Sequence, residues 1–227
     1  MKNKLKGKVK EMAIFEKTYN AINDMNSAIE AARETFQSAK KEILATFKSP
    51  ASETKLSEVK AVYESAVADQ RKKAREAVAA DVAEARRKVN EIVSAAAPAD
   101  FPTTLAALQA KGERISDYES RAFLDKYKGN YLAFSTLADV LHGVNKAGDV
   151  LTVKPDEVAE VIDSVERAAL NFIQKATYGD YMTALFTSEE HSPILKSGAA
   201  VQAFLDGGFT VADDSEELAA AIARMNS

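Results

Sequence analysis

The sequence predicts an all-α protein, with a long N-terminal coiled-coil helical hairpin followed by a compact C-terminal helical domain. One observation is the composition: nine glycines and five prolines in 227 residues leave few backbone breaks, and 46% of the residues are hydrophobic against 28% charged. Such values are typical of a folded chain rich in helix-forming residues. The other two observations are a sustained heptad pattern and a pair of prolines after the long helices.

The first long helix is predicted from a regular apolar stripe between Phe15 and Thr46. Its steps alternate between three and four residues for more than four heptads, which keeps the stripe on one side of a helix that winds around a partner. That partner could lie in the same chain or in another copy. We therefore predict an oligomerisation seam made of Phe15, Ile22, Met25, Ile29, Ala32, Phe36, Ala39 and Ile43.

The second long helix is predicted to begin near Glu53, after Pro50 interrupts the first, and to run to Ala97. Its apolar stripe is thin and rich in alanine, and Arg71 stands where the stripe would place another apolar residue. Small residues bury little area each, so this helix should pack against the first as a hairpin or against another subunit.

Four regions are predicted along the chain: a basic arm at 1–10, the hairpin at 11–97, a hinge at 98–102 and an acidic helical domain at 103–227. The hinge contains Pro98 and Pro102.

Helix boundaries in the C-terminal region follow from local signals. Ser116 and Glu119 have the spacing of a capping box, and Gly129 is a predicted break. Pro155 suits the first turn of a helix that reaches about Tyr178, and a further helix is predicted to start at Pro193.

The charge distribution is uneven. Residues 1–98 carry 19 Lys and Arg against 14 Asp and Glu, net +5, whereas residues 99–227 carry 11 against 20, net −9. Opposite charges favour head-to-tail contact between copies and contact with oppositely charged partners, although drift in composition would produce the same split. The predicted basic contact residues are Lys2, Lys4, Lys6, Lys8, Lys10, Arg71, Arg75 and Arg86.

No catalytic, cofactor or metal site is predicted. The chain has no cysteine, only two histidines and none of the glycine-rich phosphate loops or nucleophile elbows. His142 follows Asp139 by three residues, but a helical di-metal site needs two such pairs and further glutamates, so a helix-end histidine is the preferred interpretation. The aromatic residues between Tyr118 and Phe134 have the spacing of a helical core rather than of a base-stacking surface.

Part of the C-terminal region resembles small head-assembly proteins of tailed phages, of the scaffold-like or minor head-protein kind. The resemblance covers about 35 residues and lies in the turn Thr103-Thr104-Leu105-x-x-Leu108 and the pattern Leu124, Tyr127, Asn130, Tyr131 and Ala133. It implies a helical rod that oligomerises and a charged terminal segment that contacts the shell protein.

The expected function is therefore non-enzymatic self-association in macromolecular assembly, most plausibly phage head morphogenesis. The expected partners are other copies of the chain and a capsid or other virion protein. Two alternatives remain open: a nucleic-acid-binding packaging or nucleoid-type protein, and a phage or bacterial inhibitor that binds a host protein through its acidic half. Without a signal peptide or an apolar run long enough for a bilayer, a cytoplasmic location is expected, meaning the host cytoplasm or the virion for a phage-encoded chain.

Overall fold

The computed structural model describes residues 14–144, 152–175 and 192–209. This part of the chain folds into seven α-helices and one 3-10 turn and contains no strand, which confirms the all-α prediction. The helices are α1 (Glu16–Thr46), α2 (Ala51–Val93), α3 (Phe101–Lys111), α4 (Asp117–Tyr127), α5 (Tyr131–Gly143), α6 (Pro155–Lys175) and α7 (Pro193–Leu205), with the 3-10 turn Gly112–Arg114 after α3. The basic arm at 1–10, with its five lysines, lies outside the described residues.

Helices α1 and α2 form the predicted antiparallel hairpin. Near its open end, the hydroxyl of Thr18 donates a 2.9 Å hydrogen bond to Asp81. Further along, the ring of Phe36 stacks on that of Tyr63, with 5.3 Å between centroids. The two contacts are 18 residues apart in both helices, which corresponds to five helical turns, so one register holds along the pair.

The first turn of α1 is fixed by a carboxylate from α2. Asp81 is only 7% exposed, and its Oδ2 accepts hydrogen bonds from both the backbone N–H and the hydroxyl of Thr18. Phe15, the N-cap residue, is buried with a φ of 65° and caps with no side-chain hydrogen bond. Asp81 therefore replaces the local cap that Phe15 lacks, because it satisfies an N–H group that the helix itself leaves without an acceptor.

The C-terminal end of α2 lies beside the beginnings of α5 and α6. Asn130 caps α5 by accepting from the N–H of Ala133, and its amide group donates a 2.9 Å hydrogen bond to the carbonyl of Ala96. The ring of Tyr131 packs against Phe209 at 5.3 Å. The carbonyl of Phe209 in turn accepts a 2.9 Å hydrogen bond from the N–H of Val153, two residues before α6 begins.

Helix α6 runs antiparallel to α2. Arg86, ten residues before Ala96, contacts Asp163 and Glu166, which lie eight and eleven residues after Pro155. The contact with Arg86 therefore lies about ten residues from the end where the chain after α2 meets the start of α6, counted along either helix. The C-terminal end of α6 at Lys175 then lies near the point where the buried residues of α2 begin, at Ala74.

Helix α7 crosses the start of α1 at very short range. A Cβ added at Gly198 would lie 2.2 Å from the carbonyl oxygen of Ile14, closer than any real Cβ contact. Gly198 therefore allows the two backbones to approach in a way that no other residue would.

One hydrophobic core joins the residues on both sides of the predicted hinge. The buried cluster includes Val78 and Val89 of α2 together with Leu137 of α5 and Ile162 of α6. Helix α2 ends at Val93 rather than at Ala97, and α3 begins inside the predicted hinge range. The break at Gly129 and the capping box of α4 are confirmed.

Candidate interaction site

Much of the hairpin extends beyond this core. In α1 the buried residues are Thr18, Tyr19, Ile22 and Met25, followed only by Ile43 near the other end. In α2 they begin at Ala74, apart from Ser52 in the first turn. Residues 26–73, which we name the distal hairpin, thus contain two buried residues and project about 30 Å beyond the core, at 1.5 Å per residue.

The predicted seam lies along the contact between α1 and α2, and its burial changes along the helix. Phe15, Ile22, Met25 and Ile43 are buried. The remaining four seam residues are only partly buried: Ile29, Ala32, Phe36 and Ala39. The N-terminal part of the seam is covered by the rest of the chain, whereas in the distal hairpin two helices alone cannot cover it.

Large apolar side chains are also exposed in the distal hairpin. Val62 is 70% exposed, Leu44 56% and Phe47 37%. At the tip of the hairpin, Lys55 partly covers Phe47, because its ammonium lies 4.8 Å from the centroid of the Phe47 ring. No such contact covers Val62 among the described residues.

The hairpin has two faces that differ in what they contact. The side chains of Asp81 and Tyr63 both point toward α1. Successive side chains of a helix are rotated by about 100° around its axis, so the neighbours of these two residues point to one side or the other of the hairpin. Val82, one residue after Asp81, is buried toward the core, whereas Val62, one residue before Tyr63, lies on the opposite side. We call the side that carries α6 and α7 the body-side face, and the opposite side the outer face.

The body-side face of the distal hairpin carries a shallow groove. Its volume is about 360 Å³, and α2 supplies the lining residues Tyr63, Glu64, Val67, Ala68, Arg71 and Arg75. The Nε of Arg71 is buried and has no hydrogen-bond partner in the described part of the chain. Two of the predicted basic contact residues, Arg71 and Arg75, therefore share this groove with one carboxylate.

Arg86, the third predicted basic residue of α2, lies elsewhere. Its guanidinium bonds Asp163 at 2.8 Å and Glu166 at 2.7 Å, which joins α2 to α6. The hydrogen bond with Asp163, followed by the charge of Glu166, raises the pKa of Arg86 above its usual value. The acidic row of α6 that meets Arg86 is visible in the sequence, but the pairing of α2 with α6 is not.

The outer face of the distal hairpin is apolar and small at its centre. Helix α2 presents Val59, Val62 and Ala66 there, with Glu58 one turn before Val62 and with Lys55 and Asp69 beyond them. Helix α1 contributes a stripe of small residues at the same level of the hairpin: Ala28, Ala32, Thr35 and Ala39. No helix of the described chain packs on this side, because α6 and α7 lie on the other.

A polar cluster between α3 and α4 has a structural role. The hydroxyl of Tyr127 lies 2.8 Å from that of Thr104 and donates to Asp100 at 3.0 Å, while the ammonium of Lys126 lies 2.6 Å from the same carboxylate. The hydrogen bond from Lys126, and then that from Tyr127, lowers the pKa of Asp100. The cluster joins the start of α3 to the end of α4.

The residues that carry the phage-protein resemblance also form part of the fold. Leu124, Tyr127 and Ala133 are buried, and Asn130 caps α5. Together they build the tight α4–α5 connection. The neighbouring Tyr118 is 84% exposed, unlike the core position that its spacing predicts.

Within the described ranges, no three His, Asp or Glu side chains are grouped closely enough to hold a metal ion. None of the described helices combines the length and the apolar character needed to cross a membrane.

Comparison with known proteins gives no match: no protein-family model, curated protein or solved structure is similar to this chain.

Proposed function

We propose that this protein is a non-enzymatic, self-associating helical protein of macromolecular assembly, and that the distal hairpin is its association element. Phage head morphogenesis is the setting that the resemblance around Leu124 and Tyr127 suggests, with a capsid or other virion protein as the further partner.

One observation carries the proposal: the seam continues for about five turns after the core has ended. Helices stabilised only by each other over such a length bury one stripe each and leave the sides of that stripe in water. In this chain those sides include Val62 and Leu44, which are more than half exposed. Association of two hairpins through one of these sides would cover apolar surface that a single chain leaves in water.

The test is a chain with a shortened hairpin. Removing residues 29–39 of α1 and 60–70 of α2 deletes eleven residues, about three turns, from each helix in matched register. The tip layer of Ile43 is kept, and the core below Met25 is untouched. We expect the full chain to be an oligomer by light scattering at tens of micromolar and the shortened chain to be a monomer of unchanged helicity per residue.

A full-length chain that stays monomeric at this concentration would refute the proposal. So would a shortened chain that associates as strongly as the full chain. Circular dichroism and a cooperative urea transition establish that the shortened chain is folded, so that loss of association is not mistaken for loss of structure.

A further inference from the structure

The outer face of α2 has a charge pattern that is complementary to itself. Lys55 lies seven residues before Val62 and Asp69 seven residues after it, so a cation and an anion stand two turns to either side of Val62, which is 70% exposed. All three side chains lie on the same face, since seven residues make nearly two full turns.

We propose that the outer face binds the same face of a second copy, antiparallel, about a two-fold axis that passes beside Val62. This inference rests on the proposed function and specifies the surface that performs it. In this arrangement the two Val62 side chains meet at the axis. Lys55 of each copy, whose ammonium lies 4.8 Å from the ring centroid of its own Phe47, faces the partner's Asp69, and the same contact recurs on the other side of the axis.

Access favours the outer face over the groove. On the body-side face, α6 runs along α2 as far as the base of the distal hairpin, and an antiparallel second hairpin would meet it there. Among the described residues, none packs on the outer face along the distal hairpin, so two hairpins can overlap there from tip to base.

Helix α1 fits the same arrangement. Phe36 is level with Tyr63, so Val62 is level with residue 37 and the symmetry brings Thr35 opposite the partner's Ala39. Ala32 then faces the partner's Glu42, and no two like charges of this stripe are opposed. Small side chains at these positions let helices pack at the short end of the usual 8–10 Å separation.

The area is adequate for specific, reversible association. The overlap spans about 30 Å along the hairpin and about 20 Å across two helices, so that each copy covers roughly 600 Å². The total of about 1,200 Å² is at the lower end of stable specific interfaces.

The first experiment uses the absence of cysteine from the natural sequence. In the full-length chain, Val62→Cys places one thiol beside the proposed axis, where two Cα atoms can come within reach of a disulfide. We expect rapid, nearly complete cross-linking to a covalent dimer under diamide. The matched control is Ala68→Cys, on the body-side face of the same helix, which should remain uncross-linked.

The second experiment reverses the charges. Lys55→Glu or Asp69→Lys alone replaces two attractive pairs per dimer by two repulsive ones, and each should weaken dimerisation by about tenfold. The double variant exchanges the signs and should return the dissociation constant to within about threefold of the original. The matched control is the pair Lys60→Glu and Glu64→Lys, an exposed i, i+4 ion pair on the body-side face, which should leave dimerisation unchanged.

The outcomes separate this inference from the proposed function. If the chain associates through the hairpin but Ala68→Cys cross-links in place of Val62→Cys, the body-side face is the interface and the inference is wrong. If neither single charge reversal weakens association, or the double variant fails to restore it, the antiparallel register is wrong. A monomeric full-length chain would refute both.

Discussion

A hydrogen bond joins Asp81 to Thr18, which lies 63 positions earlier in the chain. Burying a carboxylate until it is only 7% exposed is costly. Here the cost is offset by the two hydrogen bonds from Thr18, which also cap the first turn of α1. Nothing in the sequence near Phe15 indicates this cap, because local rules look for a Ser, Thr, Asp or Asn at the N-cap itself.

Replacing Asp81 by Ala should therefore destabilise the protein by about 1–3 kcal/mol, since it leaves the Thr18 hydroxyl and a helical N–H without their acceptor. Urea unfolding followed by circular dichroism would measure the change. The control is Glu76→Ala, an exposed carboxylate of the same helix, which should change stability by less than about 0.5 kcal/mol.

A double-mutant cycle with Thr18→Val tests whether the two residues act together. The coupling energy should be on the order of 1 kcal/mol, because either change removes the same side-chain hydrogen bond. Effects that are simply additive would show that Asp81 stabilises the fold by another route.

Helix α4 begins at a capping box that is reinforced by a cation from α3. Glu119 accepts from the backbone N–H of Ser116 at 3.0 Å, and its carboxylate also contacts the ammonium of Lys111. The hydrogen bond from Lys111, followed by those from the backbone and side chain of Ser116, lowers the pKa of Glu119 to about 2.

This lowered pKa predicts a pH dependence. The folded state favours the ionised carboxylate, so the contribution of Glu119 is fully present above its unfolded pKa of about 4.3 and is lost as the pH falls toward 2. The stability difference between the natural chain and Glu119→Gln should therefore shrink between pH 5 and pH 2 in urea titrations. An equal difference at both pH values would contradict the prediction.

The helices themselves could largely be predicted from the sequence because their signals are local. The heptad stripe of α1, the capping box of Ser116 and the prolines at 155 and 193 all act within one or two turns. The antiparallel pairing of α2 with α6 could not be predicted, because it depends on contacts such as Arg86 with Asp163 that join distant segments. The same reason explains why one stripe was predicted but not its division into covered and uncovered parts.

At the scale of the whole molecule, residues 11–98 carry 14 Lys and Arg against 14 Asp and Glu, so the net +5 of residues 1–98 comes entirely from the first ten residues. Five lysines stand there, whereas Arg86 is already neutralised by two carboxylates. The predicted basic contacts are therefore not equivalent, because Arg86 is already paired, whereas Arg71 and Arg75 form no ion pair with other described residues.

This difference tests the nucleic-acid alternative. If the chain binds duplex DNA, deletion of residues 1–10 should abolish the binding, since five phosphate contacts account for a log–log salt slope of about −4.5. Arg86→Gln should leave affinity and slope unchanged, because that guanidinium is held by α6. Binding that is indifferent to the deletion would eliminate this alternative.

The candidate site was only partly predictable. Phe36 of the predicted seam stacks on Tyr63 and so lies on the side of α1 that faces α2. The outer face was not predicted, because Val62 lies outside the apolar stripe of α2, and because Ala32 and Ala39 were assigned to the seam of α1. Only the position of the core, which fixes the side that stays uncovered, makes them stand out.

The length of the distal hairpin would determine how far apart two associated chains hold their cores. From Val62 to Ala74, where the buried part of α2 begins, there are twelve residues, or about 18 Å. Two chains joined at Val62 would hold their cores about 36 Å apart along the hairpin axis, on opposite outer sides of the four paired helices. In such a dimer, lengthening or shortening both helices by whole turns would change that spacing in steps without altering either core, so the hairpin would set a distance as well as a contact.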